Sequence, residues 1–565
     1  MLIRRRPPGD AGVFREDLHP VLRRVYAARG VAGTAELSLE LADLLAPGGL
    51  LGIEPAVALL EQALARGERI VVAGDYDADG ATATAVAVLG LRALGAAQVD
   101  YVVPNRFTMG YGLSPAVVEL ARAKGAELLV TVDNGIASLA GVAAARAAGI
   151  RVLVTDHHLA GPQLPAADAI VNPNQPGCGF ASKNLAGVGV MFYVLLALRA
   201  RLRAAGGFQG RAEPNLAELL DLVALGTVAD VVRLDRNNRV LVAQGLRRLR
   251  AGRARPGLLA LLEAAGRDRQ FAGSAELGFV LGPRLNAAGR LDDMTVGIEC
   301  LLAPTPEAAR PLAAQLDRLN RERREIEVQM REQALELVED APQTGVCLFD
   351  PQWHEGLVGL VASRVKERLH RPVIAFAPAA EAGLLKGSGR SIAGLHLRDA
   401  LAAIDARQPG LILRFGGHAM AAGLSLPAAS LDTFAEAFDR HCAAALDEEA
   451  LQHCIDTDGE LSAAELCIDT ARVLEGAGPW GQGFPEPHFE GEFDVVEARP
   501  IGADGRHVKY RLRQPGGGMV EAPDFDGAAR MAAAGGRVRL VYRLAVNRFR
   551  GLDALELQID QMQVI

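Results

Sequence analysis

Short apolar blocks recur along the first third of the chain, and each gives way abruptly to polar residues. Ile70-Val71-Val72-Ala73 is too short for a helix and rich in β-branched residues, which predicts a buried parallel strand over 69–74. Similar blocks predict strands over 99–103, 127–132, 151–155 and 168–171. Helical spacing fills the gaps, first over 55–66 and again from Gly80-Ala81-Thr82-Ala83 onward. Residues 1–50 read as a helical lead-in, with Leu18, Val21, Leu22 and Val25 on one face and Leu37, Leu39, Leu41 and Leu44 before a Pro-Gly-Gly stop. Helices dominate from Ala186 to about Leu262, including one over 216–225.

A long charged helix follows over 305–341, with Leu312, Leu316, Leu319, Ile326, Met330 and Leu337 as its apolar seam. Its Arg321, Arg323 and Arg324 read as a solvated face, with a face toward substrate as the alternative. Val346-Cys347-Leu348-Phe349 then opens a second, smaller βα lobe over 342–450. From 451 to 565 the pattern turns to short alternating strands, such as Val508–Arg513 and Val538–Leu544. Their interleaved bases and tyrosines suit a small β-barrel that binds single strands by charge and stacking, or an ordinary barrel with solvated charges. The pattern thus predicts an α/β chain: a parallel-sheet domain over 51–304, a connecting helix, a second α/β lobe and a C-terminal barrel.

Bulk properties narrow the chemistry. The 565 residues are enough for several domains, and the net charge of −8 excludes a polycationic nucleic-acid coat. Six scattered cysteines form no Cys-x-x-Cys pair, which argues against a zinc ribbon or disulfide framework and fits a reducing cytoplasm. Leu185 to Leu198, the longest uncharged apolar stretch, is shorter than a membrane span requires, so a cytoplasmic protein with no membrane partner is expected.

The candidate chemistry sits just after the predicted strands. Asp75, Asp77 and Asp79 alternate in Gly-Asp-Tyr-Asp-Ala-Asp-Gly at 74–80. Three carboxylates so crowded repel one another, and a hard divalent cation removes that cost. Strand 127–132 leads to Asp133-Asn134-Gly135, strand 151–155 to Asp156-His157-His158, and strand 168–171 to Asn172-Pro173-Asn174. Open α/β sheets place their chemistry past the carboxyl ends of strands, so these side chains are expected at one sheet edge. Asp230, after Gly-Thr-Val-Ala, is either a further ligand or a satisfied core acid. In the second lobe, Gly-Ser-Gly-Arg at 387–390 and Gly-Gly-His-Ala at 416–419 resemble phosphate cradles.

Asp-His-His at 156–158 after a strand resembles the DHH phosphoesterase superfamily, and within it the RecJ group of single-strand-specific 5′→3′ exonucleases. The remaining motifs fall in the same order: Pro-Asn-Arg-Phe at 104–107, Val-Asp-Asn-Gly at 132–135, Val-Asn-Pro-Asn at 171–174, Gly-Thr-Val-Ala-Asp at 226–230 and Pro-Arg-Leu-Asn-Ala-Ala-Gly-Arg at 283–290. The resemblance implies a DHH catalytic domain, a DHHA1-type substrate lobe and an OB-like barrel. It implies two divalent ions, Mn²⁺ or Mg²⁺, with Asp77 and Asp75 holding one, Asp79, His157 and Asp230 the other, and Asp133 bridging them. Ala73 stands where the wider superfamily often has a histidine, and Asp75 takes that place. Asp156 would orient His157 or His158, and His158 would meet the scissile phosphate. Arg106, Arg284 or Arg290, Ser388, Arg390 and His418 would hold the backbone and the 5′-phosphate.

The implied activity is stepwise release of mononucleotides from single-stranded DNA in repair and recombination. A monomer working with a helicase and a single-strand-binding protein is expected. Two alternatives share the ancestry: a phosphodiesterase for short oligonucleotides or cyclic dinucleotides, and a non-catalytic replication scaffold. The scaffold would have lost metal carboxylates that this chain retains. Alanyl-tRNA editing would need zinc motifs that are absent from the sequence.

Overall fold

The computed structural model describes residues 2–106, 109–338, 343–502, 505–514, 516–548 and 551–565. Phe107 of the 104–107 motif, residues 339–341 of the expected connector and residue 342 of the second lobe lie outside them.

The lead-in is less helical than its leucines suggest. It opens with a strand, β1 (Leu2–Arg5), and contains one α-helix, Pro20–Ala27, followed by isolated 3₁₀ turns. Leu37, Leu41 and Leu44 lie in or beside these turns rather than along a helix face, and Leu37 and Leu44 pack against the main core.

The first sheet holds the predicted strands: β2 (Arg69–Ala73), β3 (Gln98–Val102), β4 (Leu128–Val132), β5 (Arg151–Thr155) and β6 (Ala169–Val171). Their order is β3-β2-β4-β5-β6, and every pairing is parallel. Helices cover both faces, which is why the strands read as continuous apolar runs rather than alternating ones. The helix Ala78–Leu94 is buried nearly all round between this sheet and the helices Gly187–Ala204 and Leu220–Ala229. The apolar stretch 185–198 is therefore core, and no single helix among the described residues is long and apolar enough to cross a membrane.

The connector is a helix of 31 residues, Pro306–Glu336. One part of its expected solvated face is not solvated. Arg323 is buried, donating to Glu327 at 2.7 Å and Asn320 at 3.2 Å, because the helix packs between the two lobes. The second lobe is a mixed sheet of β7 (Val346–Phe349), β8 (Val373–Pro378), β9 (Leu384–Arg390), β10 (Arg414–Gly417) and β11 (Ala421–Pro427), ordered β10-β11-β9-β8-β7.

The strand β12 (Cys454–Thr457) pairs in parallel with β1. Beyond it, β13 (Phe489–Ile501), β14 (His507–Arg513), β15 (Met519–Asp524), β16 (Arg537–Asn547) and β17 (Ala554–Val564) close into a barrel ordered β13-β14-β15-β17-β16. The barrel is as expected, but two of its tyrosines are not a stacking platform. Tyr510 and Tyr542 are each 1 % exposed and fill the barrel interior. Several of its outward bases are also paired, such as Lys509 with Glu521 at 2.6 Å and Arg543 with Asp560 at 3.1 Å. Closure turns alternate residues inward, and bulky aromatics fill a small barrel best.

The barrel domain is fastened to the lead-in. Arg29 and Asp458 form a fully buried ion pair, 2.6 Å apart, and Arg24 meets Glu465 at 2.9 Å.

Candidate active site

Asp75, Asp77 and Asp79 follow β2, Asp133 follows β4, and Asp156, His157 and His158 follow β5. All sit past the carboxyl edge of the parallel sheet. Asp230 arrives from the far side, as the residue that ends the helix Leu220–Ala229.

Local backbone features bring these side chains together. Asp133 adopts φ 62°, a left-handed conformation that aspartate tolerates better than most residues. Asn134 locks this turn by donating to the carbonyls of Ala73 at 3.1 Å and Val132 at 2.9 Å. Gly187 leaves the room: a Cβ there would lie 2.5 Å from the Asp133 Cβ. Asp79 accepts from the first amides of the helix Gly187–Ala204, at 2.7 Å from Gly187 and 3.0 Å from Val188. The helix end thus anchors this carboxylate. Asp77 caps the helix Ala78–Leu94 by accepting from Gly80 at 3.0 Å.

Three groups of ligand atoms converge, each with its atoms within 4.8 Å of one another: Asp75, Asp77 and Asp133; Asp79, His157 and Asp230; and Asp133, His157 and His158. Asp133 and His157 recur, so the groups share one site. His157 Nε2 lies 3.0 Å from Asp133, 3.5 Å from Asp230 and 4.0 Å from Asp79. Burial, reinforced by His158, pushes the His157 imidazole down to about 3, so it is neutral at physiological pH. The carboxylates move the other way. Burial, then the charge of Asp77, pushes Asp79 up to about 7 and holds Asp75 well above the usual carboxylate range. Asp133 and Asp230 are likewise raised, by burial and then by Asp79.

Asp75 Oδ1, Asp133 Oδ1, His157 Nε2 and Asp230 Oδ2 are buried without a hydrogen-bond partner. Buried lone pairs facing one another are costly, and a pair of hard cations satisfies them all. Two ions fit the donor set: one among Asp75, Asp77 and Asp133, the other among Asp79, His157 and Asp230.

Asp156 serves a different purpose. Its Oδ1 accepts from the His157 amide at 2.7 Å and lies 2.8 Å from His158 Nδ1, while its Oδ2 accepts from the Ile136 amide at 2.9 Å. Burial opposes its charge, but the hydrogen bond and charge of His158 outweigh burial and hold its pKa low. The same contact outweighs burial at His158 and raises the imidazole. Of the two imidazoles, the one that Asp156 contacts is that of His158.

Sequence reasoning overlooked several supports. Asn172 and Asn174, quoted only as a motif, donate to the carbonyls of His158 at 2.9 Å and His157 at 2.6 Å. The Tyr111 hydroxyl donates to the Asp133 carbonyl at 3.1 Å and lies 3.2 Å from His158.

The metal-ligand pocket, about 170 Å³, shares Tyr76, Arg106 and Arg290 with a larger pocket of about 410 Å³ between the two lobes. Arg106 stacks over Tyr76, 4.4 Å from the ring centroid. Ser388 and Arg390 project from one face of β9, and Gly359 lets the helix Val358–Leu369 begin against them. Arg290 donates to the Gly356 carbonyl at 2.9 Å. Burial, then the neighbouring Arg106 and Arg390, pushes the Arg290 guanidinium down to about 9. Cations pressed together in this way favour an anion between them. Arg284 is elsewhere: buried, it pairs with Asp317 at 2.9 Å and donates to the Val280 carbonyl at 2.8 Å. Of the two arginines the sequence left open, only Arg290 lines the pocket. The His418 ring stacks on His158 with centroids 6.0 Å apart, so it closes the second lobe over the metal-ligand cluster.

Comparison with known proteins agrees with this geometry. Residues 69–227 match the model of the DHH family, N-terminal domain, residues 343–444 the DHHA1 domain, and residues 457–561 the RecJ OB domain. The single-stranded-DNA-specific exonuclease RecJ of Dickeya dadantii is 54 % identical over 575 residues, covering 99 % of this chain and 98 % of that protein. The RecJ of Escherichia coli is 52 % identical, with 99 % and 98 % covered. Among solved structures, RecJ from Thermus thermophilus in complex with Mn²⁺ superposes with a TM-score of 0.83 at 33 % identity, covering 100 % of this chain and 79 % of that one. With identity this high from end to end, and the ligand cluster intact, this chain belongs to the RecJ family of the DHH superfamily.

Proposed function

We propose that this protein hydrolyses single-stranded DNA from the 5′ end to mononucleotides, using two divalent ions, Mn²⁺ or Mg²⁺. The single observation that carries the reading is the continuity of the pockets: the pocket lined by Asp77, Asp79 and Asp230 of the ligand cluster shares Tyr76, Arg106 and Arg290 with an arginine-lined cleft between the lobes. The catalytic unit spans 51–304, the connecting helix 305–341, the substrate lobe 342–450 and the barrel domain 451–565. The barrel would extend the strand path, and a helicase and a single-strand-binding protein would supply the strand. A cytoplasmic monomer fits this role.

When bound, the ions supply Lewis acidity and a nucleophilic hydroxide at neutral pH. The chain's own residues do the rest. Asp133 and His157 fix the spacing of the two ligand sets, and Asp156 orients His158 beside them. His158 donates to the scissile phosphate, and His418 covers it. Arg290, Ser388 and Arg390 hold the 5′-terminal phosphate, which sets the strand in register for cleavage of the first linkage. Arg106, braced on Tyr76, bridges the phosphate cleft and the metal-ligand pocket. A duplex would not enter a cleft closed by both lobes.

The direct test follows both ends of labelled single- and double-stranded DNA with Mn²⁺ or with EDTA. Mononucleotides should leave the 5′ end of the single strand only, and only with metal; release from the 3′ end would overturn the polarity. Dinucleotide substrates cleaved in preference to long strands would favour the oligonucleotide phosphodiesterase instead.

Arg390→Ala should weaken the grip on 5′-phosphorylated strands by about tenfold, on the order of a charge-assisted hydrogen bond. Strands with a 5′-hydroxyl should change little. Equal losses for both ends, measured as half-saturating concentrations, would contradict the assignment of the 5′-phosphate to Arg390.

A further inference from the structure

The cleft between the lobes carries more positive charge than one terminal phosphate needs. Period-two alternation on β9 sends Lys386, Ser388 and Arg390 to the cleft face and Leu385, Gly387 and Gly389 to the core. Pairing across β11 and β10 turns this row into two rungs. The inner rung is Ser388–Gly423–Gly416 and the outer rung is Lys386–Ser425–Arg414. All six residues line the same pocket of about 410 Å³. The glycines leave the inner rung open: a Cβ on Gly416 would meet nothing within 4 Å, and one on Gly423 only a carbonyl at 3.8 Å.

The outer rung is polar, cationic and only partly neutralised. Lys386 meets Glu355 at 2.9 Å, and Glu355 is the only carboxylate among the described residues lining the pocket. Arg414 is exposed and has no carboxylate within 4 Å among the described residues. Lys386 stands four residues from Arg390 along β9, about 13.6 Å, so a phosphate seated between Ser388 and Arg390 leaves the outer rung facing its own stretch of the cleft.

We propose that Lys386, Ser425 and Arg414 form a second phosphate subsite beyond the 5′-phosphate site, with Glu355 occupying Lys386 until a phosphate arrives. This rests on the 5′-end reading above. The extra phosphate has two sources with the same chemistry: the distal phosphates of a 5′-triphosphate end, or the phosphate of one additional nucleotide, in which case a dinucleotide is released.

The test uses the full chain with Mn²⁺ and follows release of the first product from three single strands bearing a 5′-hydroxyl, a 5′-monophosphate or a 5′-triphosphate. The wild type should half-saturate at about fivefold lower concentration with the triphosphate than with the monophosphate, or else release dinucleotides as a measurable first product. The first result assigns the subsite to polyphosphate ends and the second to an extra nucleotide. The double variant Lys386→Gln/Arg414→Gln should lose whichever behaviour is seen, while its half-saturation on the monophosphate strand stays within twofold. Glu355→Gln should strengthen it. Three outcomes overturn the subsite: equal losses on monophosphate and triphosphate strands, failure of the wild type on the triphosphate strand alone, and a wild type showing neither the fivefold preference nor dinucleotides. Lys386 and Arg414 are surface side chains, and an unchanged melting temperature verifies that the double variant is folded. No release from any of the three strands would instead sink the exonuclease reading itself.

Discussion

Asp133→Asn is expected to abolish metal-dependent cleavage while leaving the fold intact. Asp133 is the residue common to the Asp75–Asp77 group and the His157–His158 group, and the proposed mechanism makes it the link to the second ligand set through His157. Removing its charge separates the two sites and forfeits several kcal/mol of electrostatic stabilisation, or about 10³-fold in rate. Asparagine is the better probe than alanine because the residue sits at φ 62°, where alanine would add backbone strain. The variant should also melt no lower than the wild type in EDTA, since it removes a buried carboxyl whose ionisation burial and then Asp79, Asp77 and Asp230 oppose. Turnover near the wild-type rate in Mn²⁺ would remove the bridging role from Asp133.

The metal-free protein should lose stability as pH rises from about 6.5 to about 8, and Mn²⁺ should restore it. Asp79 is pushed up to about 7 by burial and then by Asp77, and Asp75, Asp133 and Asp230 are also raised. A raised carboxylate binds a proton in the folded state that the unfolded chain has already released above about pH 4. The folded state therefore holds more protons in this window, and stability falls as they leave. His158, raised above its ordinary value, adds to the same trend. His157 is lowered to about 3, so its opposing contribution is nearly complete at the start of the window. Each unit of offset amounts to about 1.4 kcal/mol, so a drop of several degrees in melting temperature in EDTA is expected. Mn²⁺ at about one hundred times its dissociation constant should add about 2.7 kcal/mol, or several degrees. A flat profile in EDTA, or no gain on adding Mn²⁺, would contradict the crowded-carboxylate account.

Much of the site was legible because strand periodicity and residue type coincide in it. An apolar block that ends in Asp133 or Asp156-His157-His158 declares both a buried strand and the edge at which its chemistry lies. The side chains that the resemblance implied as ligands do come together, and His158, implied only as a phosphate contact, lies among them. Other features depend on distance across the fold and left no local trace. Arg284 and Arg290 share one helix and one motif, and only packing sends the first to Asp317 and the second to the cleft. Gly187 reads as an ordinary helix start, yet its missing side chain makes room for Asp133. The barrel tyrosines alternate with bases as a binding strand would, but closure of the barrel decides which of the two faces inward. The short strand Leu2–Arg5 has almost no apolar signature, because it pairs with a single partner strand and stays largely exposed.

That strand sets an order of events during synthesis. Arg4 is separated from its partner Asp456 by 452 positions, so on the ribosome the opening segment waits without a mate while both lobes emerge. The catalytic sheet, by contrast, pairs strands that are close neighbours in sequence and can settle early. The barrel's seating against the lead-in helix is therefore a last, long-range step, and chains interrupted before that point would expose an unpaired edge suited to sticking to another chain.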